Sequence, residues 1–214
     1  MDRPPDGVPD TGDERATRRL FVALVPPPAA AERVAAGVRA AFAGAERRLG
    51  WRLAPAARLH VTLAFLGDFP DARRADLERQ LRGELGGLAA PELEVLGGGA
   101  FPSLERPRVL WVGVDEDVPG RVAALARRAR QAALGSGWRA PRGERDEPFR
   151  PHMTVARPGH GAGLRGPQAP ADFARLPRLG GWLADEVELV ESWPGGAPPG
   201  YRTLLRVPLA VHPG

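Results

Sequence analysis

Leu59-His60-Val61-Thr62-Leu63-Ala64-Phe65-Leu66 and Pro151-His152-Met153-Thr154-Val155 decide how this chain is read. Each is a short apolar run carrying a His-x-Thr triplet, and the two histidines stand 152 − 60 = 92 residues apart. Their surroundings repeat with them. Arg108 to Val114 resembles Arg19 to Val25 at an offset of 108 − 19 = 89, and Glu188 answers Glu94 at 188 − 94 = 94. Nearly constant offsets in a preserved order indicate a duplicated unit, and such a unit implies two lobes facing each other across a pseudo-twofold axis.

The remaining elements are read outward from these runs. Leu20 to Val25 suits a buried strand, which Pro26 to Pro28 then stops. Val34, Val38 and Phe42 recur every four residues and predict a helix. Leu77, Leu81 and Leu85 predict a second, with Asp68 or Asp71 as its cap, and Val122, Leu125 and Ala129 predict a third. Glu92 to Leu96 and Val109 to Val114 read as strands. Gly97, Gly98 and Gly99 lack the Lys and Ser or Thr of a nucleotide-binding P-loop and read as a turn. Arg157 to Ala184, dense in Gly, Pro and Arg, reads as one long loop. The polar residues 1–18 read as a disordered tail, which leaves 19–214 as a single domain.

Composition excludes more than it identifies. With no cysteine there is no disulfide framework, no thiolate nucleophile and no zinc site of the Cys type. The N-terminal residues carry no apolar core of signal-peptide length and no later stretch could span a bilayer, so a cytoplasmic protein is expected, with no membrane partner. The net charge of +4 is weak support for a nucleic-acid partner, because Lys, Asn and Ile are all absent. These residues have AT-rich codons, and a GC-rich genome produces an arginine excess whatever the protein does. Where the arginines sit matters more than how many there are.

In a strand, side chains two apart point to one face about 6.5 to 7 Å from each other, and the residue between them points to the other. Val61 and Met153 therefore enter the core, and His60 with Thr62 and His152 with Thr154 line a surface. The pseudo-twofold axis brings both surfaces to one cleft. Displacement at a phosphodiester needs a base beside the entering water and an acid beside the leaving oxygen. Two opposed imidazoles supply both near neutral pH, and two threonine hydroxyls can donate to the phosphoryl oxygens where charge accumulates. Cyclic 2′,3′-phosphates are strained, so this acid and base chemistry suffices without a metal or other cofactor.

From Arg19 to Leu209 the chain resembles the LigT-like RNA 2′,3′-cyclic phosphodiesterases of the two-histidine phosphoesterase superfamily. The resemblance rests on Leu59 to Gly67 and Phe149 to Arg157, supported by Arg19 to Leu24, Phe101-Pro102 and Pro107 to Trp111. It implies a bilobal α+β fold in which two antiparallel sheets line a central cleft with helices outside. It also implies a monomer that hydrolyses RNA 2′,3′-cyclic phosphate ends, tRNA halves among them, to 2′-phosphates, and that can join RNA ends through a 2′,5′ linkage in reverse. By this similarity His152 activates the water and His60 protonates the departing 3′ oxygen. Met153 stands where Leu or Ile is more usual, a near-isosteric change.

Further substrate contacts are expected around the second triplet. Strand alternation puts Arg150 on the face of His152 and Thr154, where its guanidinium can bind phosphate bidentately. Arg157 falls on the other face, and for it a solvated place at the start of a loop stands beside a phosphate contact. Phe65, Phe101 and Trp111 can stack on a base, with Phe101 the best placed and core positions the commoner role for the others. His160 and His212 read as spectators. Other readings remain open: an RNA-end binding protein with little turnover, and an enzyme for small cyclic or 2′,5′-linked nucleotides. A metal-dependent phosphatase fits poorly, because the sequence holds no cluster of Asp, Glu and His at ligand spacing.

Overall fold

The computed structural model describes residues 16–44, 48–140, 149–159, 168–193 and 200–211. The expected tail up to residue 15, His160, His212 and 194–199 lie outside these. β1 (Thr17–Leu24) begins two residues before the expected domain boundary. That boundary therefore falls inside a strand, where Arg18 donates to both Asp71 and Glu191. Alternation along β1 sorts its side chains: Leu20, Val22 and Leu24 enter the main core, while Phe21 and Ala23 join Val190 in a small cluster on the opposite face.

Next come α1 (Pro28–Phe42), β2 (Trp51–Leu53), β3 (Val61–Pro70), α2 (Arg74–Leu85), β4 (Glu92–Phe101) and β5 (Val109–Glu116). The chain continues with α3 (Arg121–Gly135), β6 (His152–Pro158), β7 (Gly180–Leu183), β8 (Glu186–Trp193) and β9 (Gly200–Pro208). The strands pair in the order β7-β4-β5-β6-β3-β1-β8-β9, every pair antiparallel, and β2 adds to the far end of β6. Between β3 and β6 the join is a single residue pair, Val61 opposite Met153, and both side chains are fully buried as expected. The sheet is thus two antiparallel four-stranded halves meeting at that seam.

The pseudo-twofold relation runs through the seam: β3 answers β6, β1 answers β5, β8 answers β4 and β9 answers β7. Glu94 on β4 and Glu188 on β8 occupy matching strands, as their offset implied. Yet β4 follows the first repeat in sequence and lies in the half built from β5 and β6, so the third strand of each repeat is exchanged between halves. The helices pack outside. α2 and α3 rest on each other, with α3 against β3 and α2 against β9, while α1 reaches β7.

Three local expectations are corrected. α2 starts at Arg74 with no side-chain cap, because residues 71–73 form a 3-10 turn and the Asp71 carboxylate is taken by Arg18 and Arg74. Gly97, Gly98 and Gly99 are not a turn but part of β4, with a register shift between Leu96 and Gly98. The tight approach explains them: a Cβ on Gly99 would lie 2.1 Å from the Trp111 indole, and one on Gly98 2.2 Å from the Phe173 carbonyl oxygen. Finally, 157–184 is no single loop. Arg157 belongs to β6, Phe173 is buried against Phe42, and β7 pairs with β4.

Candidate active site

Two bulges in β3 set the phase of its side chains. Opposite β1, Thr62 pairs with Ala23, Ala64 with Val22, Phe65 with Phe21 and Gly67 with Leu20, so Leu63 and Leu66 are the extra residues. Strict alternation would put Thr62 and Phe65, three apart, on opposite faces. The bulge at Leu63 returns Phe65 to the face of Thr62 and Phe21, where it is 48% exposed. In the other half a shift between Leu110 and Trp111 places Trp111 opposite Thr154 and Gly113 opposite His152.

His60 enters β3 from a 3-10 turn at Ala56–Arg58, and its Nδ1 lies 2.8 Å from the Arg58 carbonyl oxygen. His152 opens β6, with its Nδ1 2.8 Å from the Arg150 carbonyl oxygen. A carbonyl can only accept, so Nδ1 carries the proton in both rings and Nε2 is left as the chemically active nitrogen. Nε2 then takes a proton when the ring is neutral and gives one when it is charged. Each ring also leans on aromatic neighbours. Phe21 stacks on His60 at 4.6 Å between centroids and Tyr201 meets its edge at 5.6 Å. Phe101 and Trp111 lie 5.2 and 5.9 Å from His152.

A cleft of about 590 Å³ opens between the halves, lined by His60, Thr62, Thr154, Phe65 and Tyr201 together with Arg19, Arg52, Arg58 and Arg157. No carboxylate is among its lining residues, and none of the four arginines is ion-paired with another described residue. Both threonine hydroxyls are half-buried and make no hydrogen bond to another described residue. Burial holds the His60 imidazole below its ordinary range, although the bond to the Arg58 carbonyl opposes this; the charges of Arg157 and His152 push it further down. Among the described residues no three His, Asp or Glu side chains converge as metal ligands.

The structure brings His60, Thr62, Thr154 and Arg157 to one cleft, with His152 close enough for its charge to act on His60. Phe101, 42% exposed, touches the His152 ring. Arg150 immediately precedes β6 and, like His152, is not among the residues lining the cleft; its backbone carbonyl holds His152. Arg157 reaches the cleft despite its off-phase position, beside Arg52 on β2. Sequence reasoning missed Phe21, Tyr201, Arg19, Arg52 and Arg58. One signal was available: the repeated unit is Arg-x-His-x-Thr, Arg58 to Thr62 and Arg150 to Thr154, and its first residue supplies the matching carbonyl.

Known proteins share the sequence pattern and the fold. The RNA 2′,3′-cyclic phosphodiesterase of Thermus thermophilus is 34% identical over 131 residues, which is 56% of this chain and 62% of that protein. The one from Geobacillus stearothermophilus is 34% identical over 110 residues, 51% of this chain and 33% of its own length. The chain thus spans about half the length of the curated relatives it matches. The crystal structure of E. coli LigT complexed with 3′-AMP superposes with a TM-score of 0.68 at 26% identity, covering 90% of this chain and 98% of that one. The model of the 2'-5' RNA ligase superfamily matches residues 25–193, from the end of β1 to the end of β8, and with that span of the fold and both His-x-Thr triplets inside it the chain belongs to that superfamily.

Proposed function

We propose that this protein hydrolyses the 2′,3′-cyclic phosphate at RNA ends to a 2′-phosphate by acid and base catalysis between His60 and His152. The observation that carries the proposal is the matched pair of imidazoles, each with Nδ1 tied to the carbonyl two residues back, beside a cleft with four arginines and no carboxylate. The phosphate sits between the rings. His152 Nε2 takes the proton of the attacking water, His60 Nε2–H gives one to the 3′ oxygen as its bond to phosphorus breaks, and the phosphate stays on the 2′ oxygen. The direction of transfer follows the family resemblance. Thr62 and Thr154 donate to the non-bridging oxygens, whose negative charge also draws the depressed His60 toward its protonated form. Arg157 in the cleft wall and Phe101 against the His152 ring complete the substrate contacts.

With the 5′ hydroxyl of a second RNA end in place of water, the same proton transfers open the cyclic phosphate. The P–O3′ bond breaks, the 3′ oxygen leaves as a hydroxyl and a 2′,5′ phosphodiester forms, which supports the expected 2′,5′ ligation. Two further expectations belong to this reading: tRNA halves are substrates, and the enzyme acts as a cytoplasmic monomer. Among the described residues no helix is long and apolar enough to cross a membrane.

The test is turnover of a short RNA ending in a 2′,3′-cyclic phosphate, with and without EDTA, and location of the phosphate in the product by phosphorus NMR. A 2′-phosphate formed at equal rates in both conditions is expected. A 3′-phosphate product, or activity that EDTA abolishes and a divalent ion restores, overturns the mechanism.

A further inference from the structure

Tyr201 and Phe101 touch the two histidines directly, so they flank whatever nucleoside carries the reacting phosphate. Phe65 does not. It lies opposite Phe21, whose ring stacks on His60, and is therefore one ring further out along the cleft wall. Its Cα is three residues along β3 from Thr62, about 10 Å at strand spacing. At 48% exposure it is the most exposed aromatic side chain among the described residues, so part of its ring is open to a ligand. The Arg19 guanidinium lies over the Phe65 ring, 5.0 Å from its centroid. Arg19 has no carboxylate partner among the described residues, although Asp68 faces it across the register.

A flat ring, an unpaired guanidinium stacked on it and a carboxylate-free cleft form a surface that suits one nucleobase and the phosphodiester next to it. The bulges point the same way. A residue three beyond Thr62 reaches the catalytic face only because β3 is interrupted at Leu63, and without that interruption Phe65 would face the core. Resting on the phosphodiesterase reading above, we propose that Phe65 and Arg19 form the subsite for the nucleotide preceding the cyclic one, so that this enzyme selects RNA chains over cyclic mononucleotides.

Steady-state hydrolysis of adenosine 2′,3′-cyclic phosphate, and of the dinucleotide and trinucleotide that end in it, tests this. In the wild type kcat/KM should rise at least about tenfold from mononucleotide to dinucleotide and change little to the trinucleotide. A stacked base contributes roughly 1–3 kcal/mol by alanine substitution, so Phe65→Ala should cost about five- to hundredfold on the dinucleotide and collapse that preference. Phe65→Tyr, which keeps the ring, should retain it. Arg19→Ala should weaken the dinucleotide response and flatten its salt dependence by about one phosphate contact. Equal wild-type turnover of mononucleotide and dinucleotide, or an equal loss on both with Phe65→Ala, overturns the subsite and leaves the phosphodiesterase standing. No turnover of any of the three sinks both.

Discussion

At the scale of single residues, the two histidines share their hydrogen bonding and differ in their surroundings. His60 is packed beneath Phe21 and Tyr201, and burial followed by the repulsion of Arg157 and His152 favours its neutral form. Proton NMR should therefore place the His60 titration midpoint below the ordinary 6.5. Arg157→Ala should move it upward by removing one repelling charge. The unfolded chain then takes this proton more readily than the folded one. The resulting stability is complete above pH about 6.5 and is lost as pH falls through that value toward the folded midpoint. A midpoint at or above 6.5 in the folded protein would contradict the assigned cause. The His-x-Thr triplets, the burial of Val61 and Met153 and the shared cleft position of His60, Thr62 and Thr154 were legible, because each depends only on strand alternation and a repeat. The aromatic neighbours of His60 were not, because Phe21 and Tyr201 come from strands whose pairing the sequence does not state.

Among the elements, most helices and strands were visible from periodicity, and the departures occur where backbone regularity fails. β3, β4 and the β5–β6 pair carry bulges, and each changes the phase of the residues that follow; in β3 the change brings Phe65 to the cleft. An alternating pattern cannot reveal a phase change of one residue, so Phe65 was read by its usual role and the three glycines of β4 as a turn. Gly99 faces Trp111 closely, and the indole in turn supports His152. Gly99→Ala should therefore force the indole aside, costing about 1–3 kcal/mol in urea denaturation and lowering turnover. Gly83 provides the contrast. It is exposed on α2 with nothing within 4 Å of an added Cβ, so Gly83→Ala should stabilise the protein by about 1 kcal/mol and leave turnover alone. If the two substitutions behave alike, the close approach at Gly99 is not what that glycine is for.

For the whole molecule, the proposed mechanism divides catalysis between two duplicated halves that pair at one residue pair, Val61 with Met153. Each half contributes one imidazole, one threonine and one carbonyl clamp, and the exchanged strands β4 and β8 bind each half to the sequence of the other. Neither half can replace its counterpart, since a base and an acid must stand on opposite sides of the same phosphorus. His60→Ala and His152→Ala should each remove most of the rate on a cyclic-phosphate RNA end. Once one proton transfer is lost the other has little left to assist, so the double variant should be within a fewfold of the worse single one rather than the product of both losses. Substrate affinity should survive better than turnover, because the arginines and threonines of the cleft still hold the phosphate. The wild-type profile of kcat/KM against pH should be bell-shaped, with limbs that belong to the coupled pair. Multiplicative losses in the double variant, or full turnover after loss of either ring, would show that the halves work independently and that the symmetric assignment is wrong.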